Sequence, residues 1–453
     1  MTRSLGKGSL LALGLLGAMA PAAGAQQATG VGSIPFETYQ LANGLKVLMI
    51  PDHTAPVVAV DVWYNVGARN ERPGRTGFAH LFEHMMFEGS ANVNKGEHMQ
   101  LVQRAGSSNF NGTTSEDRTN YYEVMPSNRL NLALWLEADR MRSLNVTEQN
   151  LNNQREVVKE EKRMRIDNAP YAGSINRMLS TASYDTAGCF AYGHTTIGSM
   201  DDLNAASLED VRTFFRTYYA PNNATVAISG DFDRAQARTL VEQYFGAIPS
   251  VPQAAPVQCT NPFAQFPKRE TVEDPNATLP AFLEAFGAVP DSSADAPALE
   301  LLGTILGGGE SSRINQRLVK QDRAASNAFA GAILRRGPGV FAFYAIANQG
   351  VPLERIDSII DQELAKVREQ GVTAEELQRA KNQYRAQTLS QLSTAYGRAE
   401  ALQRASLFLG GPDRLGPDFD RHMAVTREDV MRVANRYLVP NNRTVILTVP
   451  AKR

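Results

Sequence analysis

A stretch near the middle of the chain returns near its end. Glu209-Asp210-Val211, Tyr218, Pro221-Asn222-Asn223 and Thr225-Val226 recur as Glu428-Asp429-Val430, Tyr437, Pro440-Asn441-Asn442 and Thr444-Val445, every pair 219 residues apart. Each copy runs from a helical pattern through Pro-Asn-Asn into a β-branched run, which reads as helix, turn and strand. A constant offset over so many positions marks a tandem duplication, so the chain is expected to build two similar units. The join falls between Pro249 and Pro262, where Pro249, Pro252, Pro256 and Pro262 interrupt both helix and ladder hydrogen bonding. The expected layout is a first domain over 26–248, a proline-rich linker over 249–266 and a second domain over 267–453.

Within the first unit, Leu45 to Ile50 and Val57 to Val66 read as strands, the former entered by an Asn43-Gly44 turn. A helix begins near Gly77, Asn111 to Val124 reads as extended, and Arg129 to Met141 as helical. Thr147 can cap a charged helix running to about Ile166. Alternating strands and helices in both halves give an α+β fold of two tandem homologous α/β-layered domains, helices packed on a sheet.

Arg3 and Lys7 precede an apolar run from Ser9 to Ala20, followed by the small-x-small sequence Ala23-Gly24-Ala25. This is the form of a secretory signal peptide, 1–25, cleaved to leave a mature chain beginning near Gln26. With no cysteine near that point a lipid anchor is not expected, and no later stretch reaches the roughly 20 apolar residues of a membrane span. The expected location is the periplasm or the extracellular space. About 428 of the 453 residues then remain, and the full chain carries 46 basic and 47 acidic residues without a long run of either sign, which gives no electrostatic reason to expect nucleic acid. Cys189 and Cys259 are the only cysteines. They could form one disulfide or remain two buried thiols, and the sequence leaves both open.

The chemistry concentrates in Phe78-Ala79-His80-Leu81-Phe82-Glu83-His84. Residues four apart share a helix face, so His80 and His84 can reach one metal ion while Glu83 stands beside water held there. A hydrolytic zinc site needs a third protein ligand and an open position. Spacing alone leaves Glu88, Glu97, Glu156, Glu160 and Glu161 eligible, the later ones inside a charge run that is by default a solvated helix face. His53 and His98 have no ligand spacing, and His194 reads as a structural loop residue. The matching part of the second half, Ala296 to Gly307, has no histidine, and His422 is the only one after the linker. Gly307-Gly308-Gly309 lacks the Lys-Ser/Thr of a phosphate loop and reads as a tight turn or chamber loop.

His80-Leu81-Phe82-Glu83-His84, followed 77 residues after the second histidine by Glu161 in Gln154-Arg155-Glu156-Val157-Val158-Lys159-Glu160-Glu161, resembles the pitrilysin/insulinase family of zinc metallopeptidases, to which the mitochondrial processing peptidase belongs. Asn111-Gly112-Thr113-Thr114, the Leu306-Gly307-Gly308-Gly309 loop and the two-half layout carry the likeness across nearly the whole mature chain. The resemblance implies half of a clamshell-like peptidase, one zinc ion on His80, His84 and Glu161, Glu83 as general base, and Asn111 and Gly112 receiving substrate as an added strand. The family's usual glutamate seven residues before the third ligand is Gln154 here, which puts the support of the metal site in doubt.

Active members also carry an arginine and a tyrosine seven residues apart in the second half. At the aligned positions this chain has Val319 and Ser326, neither of which can replace a cation or a phenol. The expectation is therefore a zinc-bearing subunit working with a homologous partner chain that supplies the pair, or with a second copy of itself. The alternative is a non-catalytic scaffold or binding subunit of the same fold, as in respiratory-complex core subunits. A carbohydrate or phosphate-ester hydrolase has no supporting carboxylate pair or second metal cluster.

Overall fold

The computed structural model describes residues 34–452 apart from Asn261 and Gln265. The expected signal peptide, 1–25, lies outside them. The first half runs β1 (Glu37–Gln40), β2 (Lys46–Pro51), β3 (Val57–Tyr64), α1 (Phe78–Met85), α2 (Glu97–Arg104), β4 (Asn109–Thr114), β5 (Thr119–Pro126), α3 (Leu130–Ser143), α4 (Glu148–Lys162), α5 (Ala172–Leu179), α6 (Met200–Ala205), α7 (Leu208–Tyr218), β6 (Ala224–Gly230) and α8 (Arg234–Phe245). The second runs β7 (Lys268–Asp274), β8 (Ala281–Gly287), α9 (Ala296–Gly307), β9 (Ala325–Ile333), β10 (Val340–Ala347), α10 (Leu353–Gln370), α11 (Ala374–Leu392), α12 (Ala395–Phe408), α13 (Leu415–Ala424), α14 (Arg427–Tyr437) and β11 (Arg443–Pro450).

The two sheets have the same topology. The first is ordered β1-β2-β6-β3-β5-β4 and the second β7-β11-β8-β10-β9, the same order less β1. In each, the strand after Pro-Asn-Asn is central and pairs in parallel with the first strand of the shared order, Thr225 facing Lys46 and Thr444 facing Lys268. The duplicated turns repeat atom for atom. Asn223 Nδ2 donates to Tyr218 O at 2.8 Å, and Asn442 Nδ2 donates to Tyr437 O at 2.8 Å. The preceding helices α7 and α14 begin with matching capping boxes, Ser207/Asp210 and Thr426/Asp429.

The stretch expected as extended from Asn111 to Val124 is a hairpin of β4 and β5. Ser115 breaks it: its Oγ accepts from Asp117 N and Arg118 N, both at 3.2 Å, folding the chain back. Thr147 caps α4 as expected, accepting from Asn150 N at 3.2 Å, and the helix continues into one π-helical stretch, Arg163–Asp167.

Every residue of β8, and every residue of β3 after the first, is buried, so both faces of each sheet must be covered. One face of the first sheet, through Val58, Val60, Val62 and Tyr64, packs on helices of its own half. The opposite face, through Leu48, Ile50 and Ala227, is covered by Ala399 and Leu402 of α12, a helix from the second half. The second sheet mirrors this. Leu283, Ala285, Ala342 and Ile446 pack against Tyr171 and Met178, the latter on α5 from the first half and the former at its N-cap. Polar contacts lock both exchanges: Gln403 Nε2 donates to Asp61 O and Thr225 O, each at 3.0 Å, and Thr448 Oγ1 donates to Ser174 Oγ at 2.7 Å. The two halves therefore share their cores although the sequence orders them in tandem.

The cysteine pair left open by the sequence is a disulfide, Cys189–Cys259, its ends 70 positions apart along the chain. It fastens the linker to the segment just before α6. The chain-entropy relation assigns such a loop about 4 kcal/mol. A Cys189→Ser/Cys259→Ser variant should accordingly lose up to about 4 kcal/mol of unfolding free energy in urea titrations under oxidising conditions, and reductant should lower the wild-type midpoint in the same direction.

Candidate metal centre

Helix α1 carries the motif, and its placement is fixed at its N-terminus. Gly77 sits at φ 82°, and a Cβ there would lie 2.5 Å from Ile197 O, so only glycine fits. No side chain of the N-cap residue satisfies the first amides. Glu71, buried, does so instead, accepting from Gly77 N at 2.8 Å and Ala79 N at 2.7 Å, where its charge also meets the positive helix end. His194 backs Glu71: its Nε2 lies 3.1 Å from Glu71 Oε2 and 2.9 Å from Ala68 O, and its Nδ1 lies 2.8 Å from Phe190 O. Burial opposes charge on this imidazole, but the hydrogen bond and charge of Glu71 outweigh it and hold the His194 pKa above the usual histidine range. Phe78, Ala79, Leu81, Phe82 and Met85 form the buried face of α1, with Phe82 against Phe214, Phe215 and Tyr219. His80, Glu83 and His84 are left on the opposite face.

Helix α4 packs against α1 and delivers Glu161 to that face. Glu161 Oε2 lies 3.3 Å from His84 Nε2 and 3.7 Å from His80 Nε2, and donor atoms of the three residues lie within 4.8 Å of one another. Nitrogen and oxygen ligands of a tetrahedral zinc ion stand about 3.3 Å apart, so the donor set and its spacing fit that ion. Burial, with His84 adding to it, pushes the His80 pKa down to about 4, which keeps its imidazole neutral and able to coordinate near neutral pH. The other four glutamates eligible by spacing are elsewhere. Glu97 accepts from Asn94 N in its own turn, Glu156 pairs with Lys159 and Glu160 with Arg163 on the exposed side of α4, and Glu88 is held by Gln154 and Lys95.

Glu83 lies close enough to the triad for the charges of His84 and Glu161 to act on its carboxyl. Its Oε2 accepts from Thr114 Oγ1 at 2.6 Å, and burial raises the carboxyl above the usual glutamate range, with the Thr114 bond pulling the other way. Gly112 makes room for it, since a Cβ there would lie 3.0 Å from Glu83 Cγ. The strand carrying Gly112 and Thr114, β4, is the last of its sheet and pairs among the described strands only with β5. Asn111 is exposed on that edge, whereas Gly112 is buried under Glu83. The sequence marks Gly112 as substrate-facing, but the structure gives it a spacing role as well. Thr114 and Glu71 carry no sequence signal: their partners lie 31 and eight residues away, at no periodic spacing.

Two further donor clusters draw on elements far apart in the sequence, although Asp357 and Asp361 of the second share helix α10. His98, Glu123 and Glu137 converge within the first half, and Glu284, Asp357 and Asp361 within the second. Each is organised by an arginine. Arg140 pairs with Glu137, and Arg443 Nη1 lies 2.6, 3.3 and 3.0 Å from Glu284, Asp357 and Asp361. In the second half the counterpart of α1 is α9, whose buried face of Leu299, Leu302, Ile305 and Leu306 is apolar. Val319 packs against the second-half core and Ser326 lies exposed on β9, so neither brings a cation or phenol.

Residues 46–189 match the insulinase (peptidase family M16) profile, and residues 205–384 match the peptidase M16 inactive domain. A zinc protease PqqE of Helicobacter pylori is 31% identical over 422 residues, 91% of this chain and 93% of the relative. The chain belongs to the insulinase family. A solved protease structure from Helicobacter pylori superposes on this member of the family with a TM-score of 0.86 at 30% identity, covering 92% of this chain and 100% of that one. A probable mitochondrial-processing peptidase subunit beta of Arabidopsis thaliana is 26% identical over 88% of this chain and 75% of the relative. The insulinase match lies within the first half, whereas the inactive-domain match takes in α7, β6 and α8 of the first half before running into the second; the candidate donors His80, His84 and Glu161 all lie in the first half.

Breaking a buried charge pair commonly costs about 3 to 5 kcal/mol. Glu71→Ala removes the acceptor for two helix amides and for His194 at once, so it should lower the unfolding free energy by about 3 kcal/mol or more in urea titration, with the loss centred on α1 in hydrogen exchange.

Proposed function

We infer that this insulinase-family chain is the zinc-bearing subunit of an exported endopeptidase that cleaves peptides or unfolded polypeptides. The observation that carries this is the convergence of His80, His84 and Glu161 on one point, with the Glu83 carboxylate beside it and the free edge of β4 alongside. His80, His84 and Glu161 would hold the ion. When bound, zinc supplies a Lewis acid that polarises a peptide carbonyl and lowers the pKa of water toward about 7.

The chain's own groups account for the rest. An extended peptide adds to β4 through main-chain hydrogen bonds, with Asn111 on the exposed side. Glu83 accepts a proton from the water as its oxygen attacks the carbonyl carbon, then returns a proton to the leaving nitrogen as the C–N bond breaks. Thr114 holds the Glu83 carboxylate at 2.6 Å and restricts its rotation. Val319 and Ser326 bring no cation or phenol to the two positions where the family carries an arginine and a tyrosine, which supports a homologous partner chain that brings the pair, or a second copy arranged to fill the gap. Export is supported by the Ser9 to Ala20 run behind Arg3 and Lys7 and by the Cys189–Cys259 disulfide, a bond that persists in oxidising compartments.

A non-catalytic scaffold is the second reading, favoured by the inactive-domain match over 205–384. Cleavage of a quenched fluorescent peptide library separates the two. Glu83→Gln should lower kcat by about 10² to 10⁴ while zinc content by metal analysis is retained, and Glu161→Ala should lose zinc where Glu160→Ala and Glu156→Ala keep it. Full cleavage by Glu83→Gln would refute its role. Zinc-loaded wild type that cleaves nothing, alone or with any homologous chain from the same genome, would establish the scaffold.

The division of labour has its own test. Oxyanion donors are worth about 10² to 10³ in rate, so mixing with the partner chain should raise kcat by about that factor over the isolated chain. An isolated chain as fast as every mixture would refute the need for a partner.

A further inference from the structure

A metal-ligating histidine usually donates its second ring N–H to an acceptor that fixes its tautomer and orientation, most effectively a carboxylate. The two histidines of this centre differ in that respect. His80 Nδ1 is buried with no hydrogen-bond partner among the described residues. His84 Nδ1 lies 3.2 Å from Gln154 Oε1. Gln154 is seven residues before Glu161, two turns of α4 away on the same face, so the residue facing His84 is neutral.

The charge is one step further out. Gln154 Nε2 donates to Glu88 Oε1 at 2.7 Å, and Lys95 Nζ lies 2.6 Å from Glu88 Oε2. The Glu88 side chain is only 8% exposed, and Asn150 Nδ2 donates to its main-chain oxygen at 3.2 Å, tying the end of α1 to α4. The direction of the whole chain is forced. An ionised carboxylate only accepts, so the amide nitrogen of Gln154 must face Glu88 and its oxygen must face His84. His84 Nδ1 must then carry the proton, leaving the Nε2 lone pair directed at the Glu161 side.

We propose that Glu88 is the positioning carboxylate of the metal centre, acting on His84 through the Gln154 amide and held in place by Lys95. The arrangement moves a negative charge that would otherwise touch the imidazole outward by one hydrogen bond. It rests on the assignment of His80, His84 and Glu161 as zinc ligands. A carboxylate and an amide are interchangeable along such a chain in one sense only: exactly one of positions 88 and 154 should carry the charge.

The test is a double-substitution cycle read as the zinc dissociation constant of the full mature chain, by competition with a chromophoric chelator. In the natural background Glu88→Gln should weaken zinc binding by about 10- to 100-fold, the usual scale for groups that orient a ligand. In a Gln154→Glu background, where a carboxylate already faces His84, the same Glu88→Gln change should not weaken binding, and should tighten it by relieving two facing carboxylates. Glu88→Gln with no effect in the natural background, or with the same factor in both backgrounds, would overturn the proposal. Urea midpoints of the metal-free proteins report folding. If Glu88→Gln fails to fold, Lys95→Met reads the same chain from its exposed end: weakening by up to about tenfold sustains the proposal and unchanged affinity overturns it. Wild type that binds no zinc would instead refute the ligand assignment itself, while wild type that binds zinc with a flat cycle would refute the role of Glu88 alone.

Discussion

Double-sided burial of the two central sheets is the constraint on which the rest of the molecule depends. β3 and β8 are buried on both faces, and a sheet of that kind is stable only as the middle layer of three. Each half has enough helix to cover one face of its own sheet. The other face is covered by the opposite half, α12 on the first sheet and α5 on the second. This exchange makes the position of one half conditional on the other, and through Gln403 it ties the second half to Asp61 and Thr225 on adjoining strands of the first sheet. The metal-donor helix α1 lies on the face covered within the first half, where its apolar side joins the core through Phe82.

The centre itself is assembled from supports rather than from its donors alone. Glu71 and His194 fix the start of α1, Thr147 fixes the start of α4, and Gly112 lets β4 approach Glu83. Each support acts on a helix or strand, so the donor geometry follows from rigid elements rather than from loops. The second half lacks this assembly because α9 uses the corresponding surface for packing. Its leucines bury apolar area where α1 presents histidines, and Gly307 lets α9 lie directly against Ala330 of β9. One ancestral unit has thus been spent on chemistry in one copy and on a core in the other.

What the sequence revealed follows the range of the interactions. His80, Glu83 and His84 were legible because a helix places residues three and four apart on one face, and the 219-residue repeat was legible because a duplicated turn keeps its Pro-Asn-Asn. Strand positions β2 and β3 and helix α3 emerged from periodicity within a residue or two, while the helix read as running to about Ile166 is α4 to Lys162 and then the π-helical stretch Arg163–Asp167. The choice of Glu161 over Glu160 came from family likeness, since neighbouring helix positions point 100° apart and spacing cannot rank them. Glu71, Thr114 and Glu88 were not legible in their roles, because each acts across a tertiary contact with no periodic offset. The exchange of α5 and α12 was hidden for the same reason: an apolar strand announces that both faces are covered without naming the helix that covers them.

The exchanged helix α12 also sets an order of events for a newly made chain. Gln403 meets Asp61 across 342 residues of sequence, and the outer face of the first sheet stays open until residues near 408 have been synthesised. The first half, although it holds His80, His84 and Glu161, has both faces of its sheet covered only once those later residues are in place. Contacts of such long range form slowly, and the exposed strand faces wait through that interval as surfaces for misassociation.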